Sequence, residues 1–279
     1  MKLCRIKTEN GVLPAAVDQG GKLRDLSAHI SDIAPETTSP EALKTLSKIE
    51  IASLPEITGT YAPILSDVRR LLCIGLNYTD HAEEMNLPIP EFPILFMKAC
   101  PVTGANDPII IPKGSEKTDW EVEMGIIIGS RAQHVTEDDA MDHVAGYCVV
   151  NDVSERTFQL EMGGQWMKGK SCDSFAPVGP WFVTSDEVPD PQVLDLYLDV
   201  NGERRQTGTT ARMIFSIAQI VSFVSRFVTL VPGDIIATGT PPGVGVGMKP
   251  QKFLKAGDVV TLGITGLGDQ QQEAIPFSG

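Results

Sequence analysis

Glu121 and Glu123 stand two apart in DWEVEMGIIIGS, and the run Ile126, Ile127, Ile128 that follows marks the segment as a strand. On a strand, residues i and i+2 face the same way. Both carboxylates therefore project to one side, roughly 7 Å apart at Cα. Two anions beside a β-branched run repel each other unless a positive charge lies between them. An all-oxygen pair of this kind suits a hard divalent ion such as Mg²⁺ or Mn²⁺. A solvent-facing strand edge with an ordinary charge pair is the other reading of the same residues. Asp152 ends the apolar run in VVNDVSER, where a carboxylate can reach into a site from rigid backbone. It is a candidate third ligand, with an Asx turn as the alternative.

His81 and Glu84, in NYTDHAEE, stand three apart. With Thr79 or Asp80 capping a helix, they share one face. A carboxylate beside imidazole fixes its tautomer and raises its basicity, as a general base near neutral pH requires. A surface helix with a weak His–Glu contact would read the same. His29, His134 and His143 make no HExxH or paired-His pattern, which argues against a zinc hydrolase. Arg156 is within range of a substrate carboxylate if a helix begins there, and is otherwise a solvated arginine.

Gly164 to Ser171, GQWMKGKS, matches the phosphate-cradling G-x-x-x-x-G-K-[ST] pattern. Its context opposes that use. A phosphate loop follows a buried strand and opens a helix, whereas here ERTFQLEM precedes and the proline-bearing CDSFAPVGP follows. Lys170 remains of interest as a cation near the proposed anionic site. TGTPPGVG, from Thr238, exposes backbone N–H groups beside threonine hydroxyls and suits a carboxylate or oxyanion. A plain structural turn reads equally well.

The elements that must position these residues are mostly strands. LLCIGLN, the Glu121 segment, AGYCVVND, FAPVGPWFVT, LDLYLDVNG, GDIIATG and GDVVTLGI all have strand character. Helices are expected from Asp80, over Glu137 to His143, over Arg156 to Met162 and over Met213 to Phe227. In the last, Ile217, Ile220, Val221 and Val224 follow the buried-face spacing. Strands joined without alternating βα units predict an α+β fold. Residues 1–66 read as a small N-terminal lobe and connector, with strands flanking Asn10–Gly11 and a helix from Ser39–Pro40 to near Ile49. Residues 67–279 then form the main domain.

A chain of 279 residues, 42% hydrophobic and 21% charged, suits one large globular domain with a small appendage. A net charge of −13 argues against nucleic acid or anionic membranes as partners, but not against a small anionic substrate. The N-terminal MKLCRIKTENG lacks an apolar h-region, and Ile214 to Val231 is interrupted by Gln219 and Arg226. Five cysteines with no CxxC pair fit reduced thiols. A cytoplasmic protein is expected.

In order and spacing, IGLNYTDHAEE, DWEVEMGIIIG, YCVVNDVSER, QWMKGKSCDSFAPVGPW and PGDIIATGTPPGVG resemble the fumarylacetoacetate hydrolase family. The resemblance implies a mixed β-sandwich roll, a Mg²⁺ or Mn²⁺ ion, a homodimer and hydrolysis of a carbon–carbon bond in a 2,4-dioxo acid. It implies Glu121, Glu123 and Asp152 as metal ligands, His81 with Glu84 as the water-activating dyad, and Lys170 as the site lysine. Arg156, Gln159 and Thr240 fall where substrate contacts are expected. Cys172 stands where the family commonly has phenylalanine, a change that bears on pocket shape. GSEKTDWEVE, GGQWMKGKSCD and LGITGLGDQQQ look most like the 2,4-didehydro-3-deoxy-L-rhamnonate or fuconate hydrolase branch, whose members are also called ureidoglycolate lyases. Lyase, decarboxylase or isomerase chemistry, or a non-catalytic ligand-binding module, are the alternatives on this fold.

Overall fold

All seven residues of Val122–Ile128 are buried in the computed structural model, which describes residues 1–278. Buried on both faces, this strand can only be central. Val122, Met124, Ile126 and Ile128 enter one core and Ile127 the other, so Glu121 and Glu123 share the parity of Ile127.

Val122–Ile128 pairs antiparallel with Val144–Asn151 on one side and with Ile235–Ala237 on the other. Ile235–Ala237 runs parallel to Leu71–Gly75, which pairs with Ile94–Lys98. Beyond Val144–Asn151 come Val178–Thr184 and the strands Lys2–Thr8, Gly11–Val17 and Leu23–Asp25, in a sheet of ten strands. A second, five-stranded sheet runs Glu203–Thr209, Asp195–Val200, Val259–Ile264, Gly268–Pro276, Ile109–Ile111. Its Leu196, Leu198, Val260 and Leu262 share a core with Val122, Met124 and Ile126. Mixed sheets with few short helices make this an α+β fold, as the irregular strand order predicts.

Residues 1–66 join the rest by pairing Leu3 with Phe182. Leu3, Leu26 and Ile33 also lie in one core with Ile127, Cys148 and Ile235. Asn10 forms the expected hairpin turn, and Ser39 caps a helix over Pro40–Leu46.

Two local readings need correction, and one strand stands where none was expected. Residues 156–162 form a single wide π-turn over Thr157–Glu161 in place of a regular helix. The apolar helix is shorter than expected, Ile217–Ser225, because Ser216 and Gln219 close a capping box that starts it late. The polar C-terminal segment is a nine-residue strand, Gly268–Pro276. Its Gln270, Gln272 and Ala274 are buried while Asp269, Gln271 and Glu273 face out. The period of two is present, but buried glutamines disguise it.

Registers Asn151–Val122, Ala237–Gly125 and Ala237–Cys73 bring four chain ends to one end of the sheet. Glu121 enters there, Asp152 and Thr238–Thr240 leave there, and the helix Thr79–Glu84 begins just beyond Gly75.

Candidate active site

Glu121, Glu123 and Asp152 converge, each offering an oxygen within 4.8 Å of the others, and all three are buried. Backbone pairing holds two of them in place: the Asp152 N–H donates to Glu121 O at 2.9 Å. Lys170 Nζ donates to Glu121 Oε2 and to Asp152 Oδ2, both at 2.8 Å. The lysine of the phosphate-loop pattern is thus buried among carboxylates. Gly169 before it is pressed onto backbone, where a Cβ would lie 2.4 Å from Glu155 O. Directly before this segment stands the turn Thr157–Glu161, where a phosphate loop would have a buried strand.

Asp152 carries no Asx turn. Its other oxygen takes Lys98 Nζ, a fully buried ammonium that also donates to Val153 O at 3.0 Å. Lys98 is absent from the sequence reading because a lysine closing the apolar run ILFMK looks like an ordinary strand end. A buried lysine must have a paired anion.

Arg156 is also buried. Its Nε donates to Asp119 Oδ2 at 2.8 Å and its Nη1 to Gln159 Oε1 at 2.9 Å. Nη2 lies 2.8 Å from Glu121 Oε1, an ion pair that ties the guanidinium to the carboxylates. Asp119 is the second residue the sequence reading missed. It accepts the N–H groups of Gly245 and Val246 at 2.7 and 3.0 Å, and so ties Arg156 to the glycine loop.

His81 and Glu84 do lie on one helical face, with Nδ1 of the ring 2.9 Å from Glu84 Oε2. The helix starts one residue earlier than expected, with Tyr78 at the cap position and no side-chain cap. Asp80 instead accepts the His81 N–H at 3.0 Å. Glu84 Oε1 accepts the Gly243 N–H at 2.8 Å, and a Cβ on Gly247 would lie 2.7 Å from the Glu84 carboxyl carbon. The glycine loop therefore clasps the carboxylate that orients the imidazole. Asn77 anchors the chain before the helix, accepting Phe215 N–H and donating to Thr238 O, each at 2.8 Å. Leu76 sits at φ 52°, a left-handed conformation that a leucine adopts only under tertiary constraint.

Charge is unevenly shared among the carboxylates. Burial acts to raise Glu121, but Lys170 and Arg156 outweigh it and bring its pKa down to about 2. Burial also acts against the Lys170 cation, yet Asp152 and Glu121 raise its pKa, so it stays charged. Glu123 goes the other way. Burial, then the charges of Asp152 and Glu121, push its carboxyl well above the usual carboxylate range. Among the described residues it has no cationic side chain in contact, only the Gly239 N–H at 2.8 Å. Here a divalent cation would fit: three converging oxygen donors, one of them lacking a positive partner, match the needs of Mg²⁺ or Mn²⁺.

His81, Glu121, Glu123, Arg156, Gln159, Lys170 and Thr240 line one cavity of about 130 Å³. A larger cavity, about 1100 Å³, opens beside Arg205 and Phe253, and none of those seven residues lines it. Chemistry follows the smaller one. The Thr240 hydroxyl already donates to Val122 O at 2.9 Å and accepts from Gln206 Nε2 at 2.8 Å. Cys172 packs against the core and does not line the cavity. Burial lifts its thiol to about 11.

A mixed α+β fold thus sets a carboxylate triad able to hold a metal ion next to a His–Glu pair, with Glu121, Glu123 and His81 lining one small cavity. Residues 70–274 match the fumarylacetoacetate (FAA) hydrolase C-terminal family, and the chain belongs to that family. A Burkholderia cenocepacia protein, named as a hydrolase with no substrate stated, is 52% identical over 276 residues, covering 98% of each chain. The crystal structure of 2-hydroxyhepta-2,4-diene-1,7-dioate isomerase from Mycobacterium marinum aligns over 100% of both chains with TM-score 0.78 and 30% identity. Maleylpyruvate hydrolase from Sphingobium sp. SYK-6, solved with manganese(II) and pyruvate, aligns over 100% of both chains with TM-score 0.82 and 26% identity. Among the described residues no helix is long and apolar enough to cross a membrane.

Proposed function

We propose that this protein hydrolyses the carbon–carbon bond of a small 2,4-dioxo acid, releasing pyruvate and a carboxylic acid. The observation that carries the reading is that His81, held by Glu84, lines one cavity with Glu121 and Glu123, which form the carboxylate triad with Asp152. Glu121, Glu123 and Asp152 would hold a Mg²⁺ or Mn²⁺ ion, which supplies Lewis-acid stabilisation of charge on the pyruvyl side. The Sphingobium structure, with manganese(II) and pyruvate, supports that assignment.

The chain's own groups account for the rest. Arg156, which lines the cavity while paired with Glu121, would meet the substrate carboxylate, together with Gln159, whose Oε1 accepts from its Nη1. His81, with Nδ1 held by Glu84, presents Nε2 as the base that takes a proton from water. The water oxygen bonds to the distal carbonyl carbon. As the C–C bond breaks, its electron pair stays with the methylene carbon, which is protonated to the methyl group of pyruvate. Lys170, kept cationic by its two carboxylates, offsets the negative charge that develops.

Isomerisation of a related dioxo acid is the second reading, favoured by the likeness to the Mycobacterium marinum isomerase. Water activation separates the two. Pyruvate release from acylpyruvates, measured with and without Mg²⁺ or Mn²⁺, tests the proposal. Ketonisation of a 2-hydroxydienoate without pyruvate release would replace it. Within the hydrolase reading, the sequence resemblance makes 2,4-didehydro-3-deoxy-L-rhamnonate or fuconate the first sugar acids to set against plain acylpyruvates in that assay. We infer a homodimer on the same resemblance, to be checked by the mass in solution.

A further inference from the structure

Beside its charged groups, the cavity is also lined by Met85, Leu87, Ile94, Phe96, Leu160 and Trp166, with Lys170 Nζ 5.3 Å from the Phe96 ring centroid. The wall is built, not incidental. Trp166 brings the hydrocarbon edge of its indole so close to Gly75 that a Cβ there would lie 2.3 Å from Cζ3. Phe96 meets the same ring edge-on, with centroids 5.4 Å apart. Leu87 and Leu160 are 49% and 48% exposed, apolar side chains held half open at the cavity.

The polar atoms of the cavity are largely spoken for. Thr240 has given its proton to Val122 O, Gln159 Oε1 accepts from Arg156, and the Gly239 N–H is taken by Glu123. Side-chain capacity remains at Gln159 Nε2 and His81 Nε2, and Arg156 and Lys170 add positive charge although both already pair with carboxylates. The carboxylate, the 2-oxo group and the attacked carbonyl of a dioxo acid need these.

Resting on the acylpyruvate reading above, we propose that the acyl arm is an unsubstituted alkyl or aryl group that lies against this wall. A hydroxylated arm, such as the lactoyl group of the sugar-acid substrate, would place a hydroxyl beside Leu87 and Leu160, side chains with no polar atom to receive it. An unmade buried hydrogen bond lowers affinity about tenfold or more. Each arm methylene covered by the wall should instead raise kcat/KM roughly fourfold until the cavity is full.

Propanoylpyruvate and 2,4-didehydro-3-deoxy-L-rhamnonate have the same carbon skeleton and differ by one hydroxyl on the arm, which makes them the decisive pair. Pyruvate release should be faster from propanoylpyruvate by about tenfold in kcat/KM, and faster still from butanoyl and hexanoyl arms. Leu160→Asn, at a half-exposed position, should narrow the gap by lowering kcat/KM for the propanoyl and longer arms more than for the hydroxylated one. Equal or faster turnover of the hydroxylated substrate overturns the inference and leaves the hydrolase reading intact. Pyruvate release from no member of the series sinks the hydrolase reading. The wall is then judged by thermal shift with Mg²⁺: a larger shift with 2-oxohexanoate than with pyruvate upholds it, and equal shifts overturn it.

Discussion

Glu123 and Asp152 hang from strands paired on both sides and are 2% and 0% exposed, whereas His81 and Glu84 ride on a six-residue helix. The carboxylate cluster is held by the sheet and by Lys98, Lys170 and Arg156, groups that would cost several kcal/mol to leave unpaired in the interior. The dyad is held by one glycine-loop N–H and by its own mutual contact. Charge that must stay in place is built into the rigid sheet. The group proposed to accept and return a proton, His81, sits on a short element with fewer ties. The two regions should therefore fail differently when perturbed.

The largest effect should come from the floor. Chelation, or Glu123→Ala, should abolish turnover, and Mg²⁺ or Mn²⁺ should restore it in the wild type alone. Full activity of Glu123→Ala in excess chelator would remove the floor from the mechanism. Next comes the dyad. His81→Ala should lower kcat by about 10²–10⁴ while the stabilisation given by Mn²⁺ in a melting experiment stays as in the wild type. A lost metal response would mean that dyad and floor are one unit, and the contrast would collapse.

Gly247→Ala sharpens the contrast from the loop side. Its Cβ would press on the Glu84 carboxyl, which must swing away and loosen its hold on His81. A fall in kcat of about ten- to a hundredfold with little change in KM is expected. An unchanged kcat would show that Glu84 is not set by the loop. Lys98→Ala should act on stability. Removing one partner of a buried pair is worth about 3–5 kcal/mol, with Lys170 still on Asp152 keeping the loss near the lower end. Urea unfolding reads this directly, and an unchanged midpoint would mean that Asp152 is not strained by its charge.

The smallest effect concerns pH. In the metal-free protein the Glu123 pKa lies above its unfolded value, so the folded state binds the extra proton. Stability from this group is present at low pH and is lost as pH rises from the ordinary carboxylate range through the raised pKa. Glu123→Gln carries no such titration and can still accept the Gly239 N–H. Without metal it should melt higher than the wild type, with a difference that grows with pH. A difference independent of pH would refute the charge account.

Local pattern carried much of the site into view. The i, i+2 spacing of Glu121 and Glu123 and the i, i+3 spacing of His81 and Glu84 follow from strand and helix geometry, which needs only neighbouring residues. The same is true of Ile217, Ile220, Val221 and Val224, all buried as their spacing predicts. Segments where polar residues go inside were misread or passed over: the strand of Gln270 and Gln272, Lys98 at a strand end, and Asp119 beside Trp120. Each is polar and buried only because a partner far along the chain receives it.

By itself, then, the sequence determined the α+β class, the carboxylate and dyad positions, and the order of motifs that marks the family. Only the tertiary structure decided what each group meets. Lys170 reaches Glu121 across 49 residues, Gly239 reaches Glu123 across 116, and Gly243 reaches Glu84 across 159. The apolar wall of Met85, Leu87, Phe96, Leu160 and Trp166 likewise gathers separate segments around one cavity. Periodicity along a chain fixes which way a side chain faces. What stands opposite it depends on how sheets close over one another, and there the charge balance and the shape of the cavity are set.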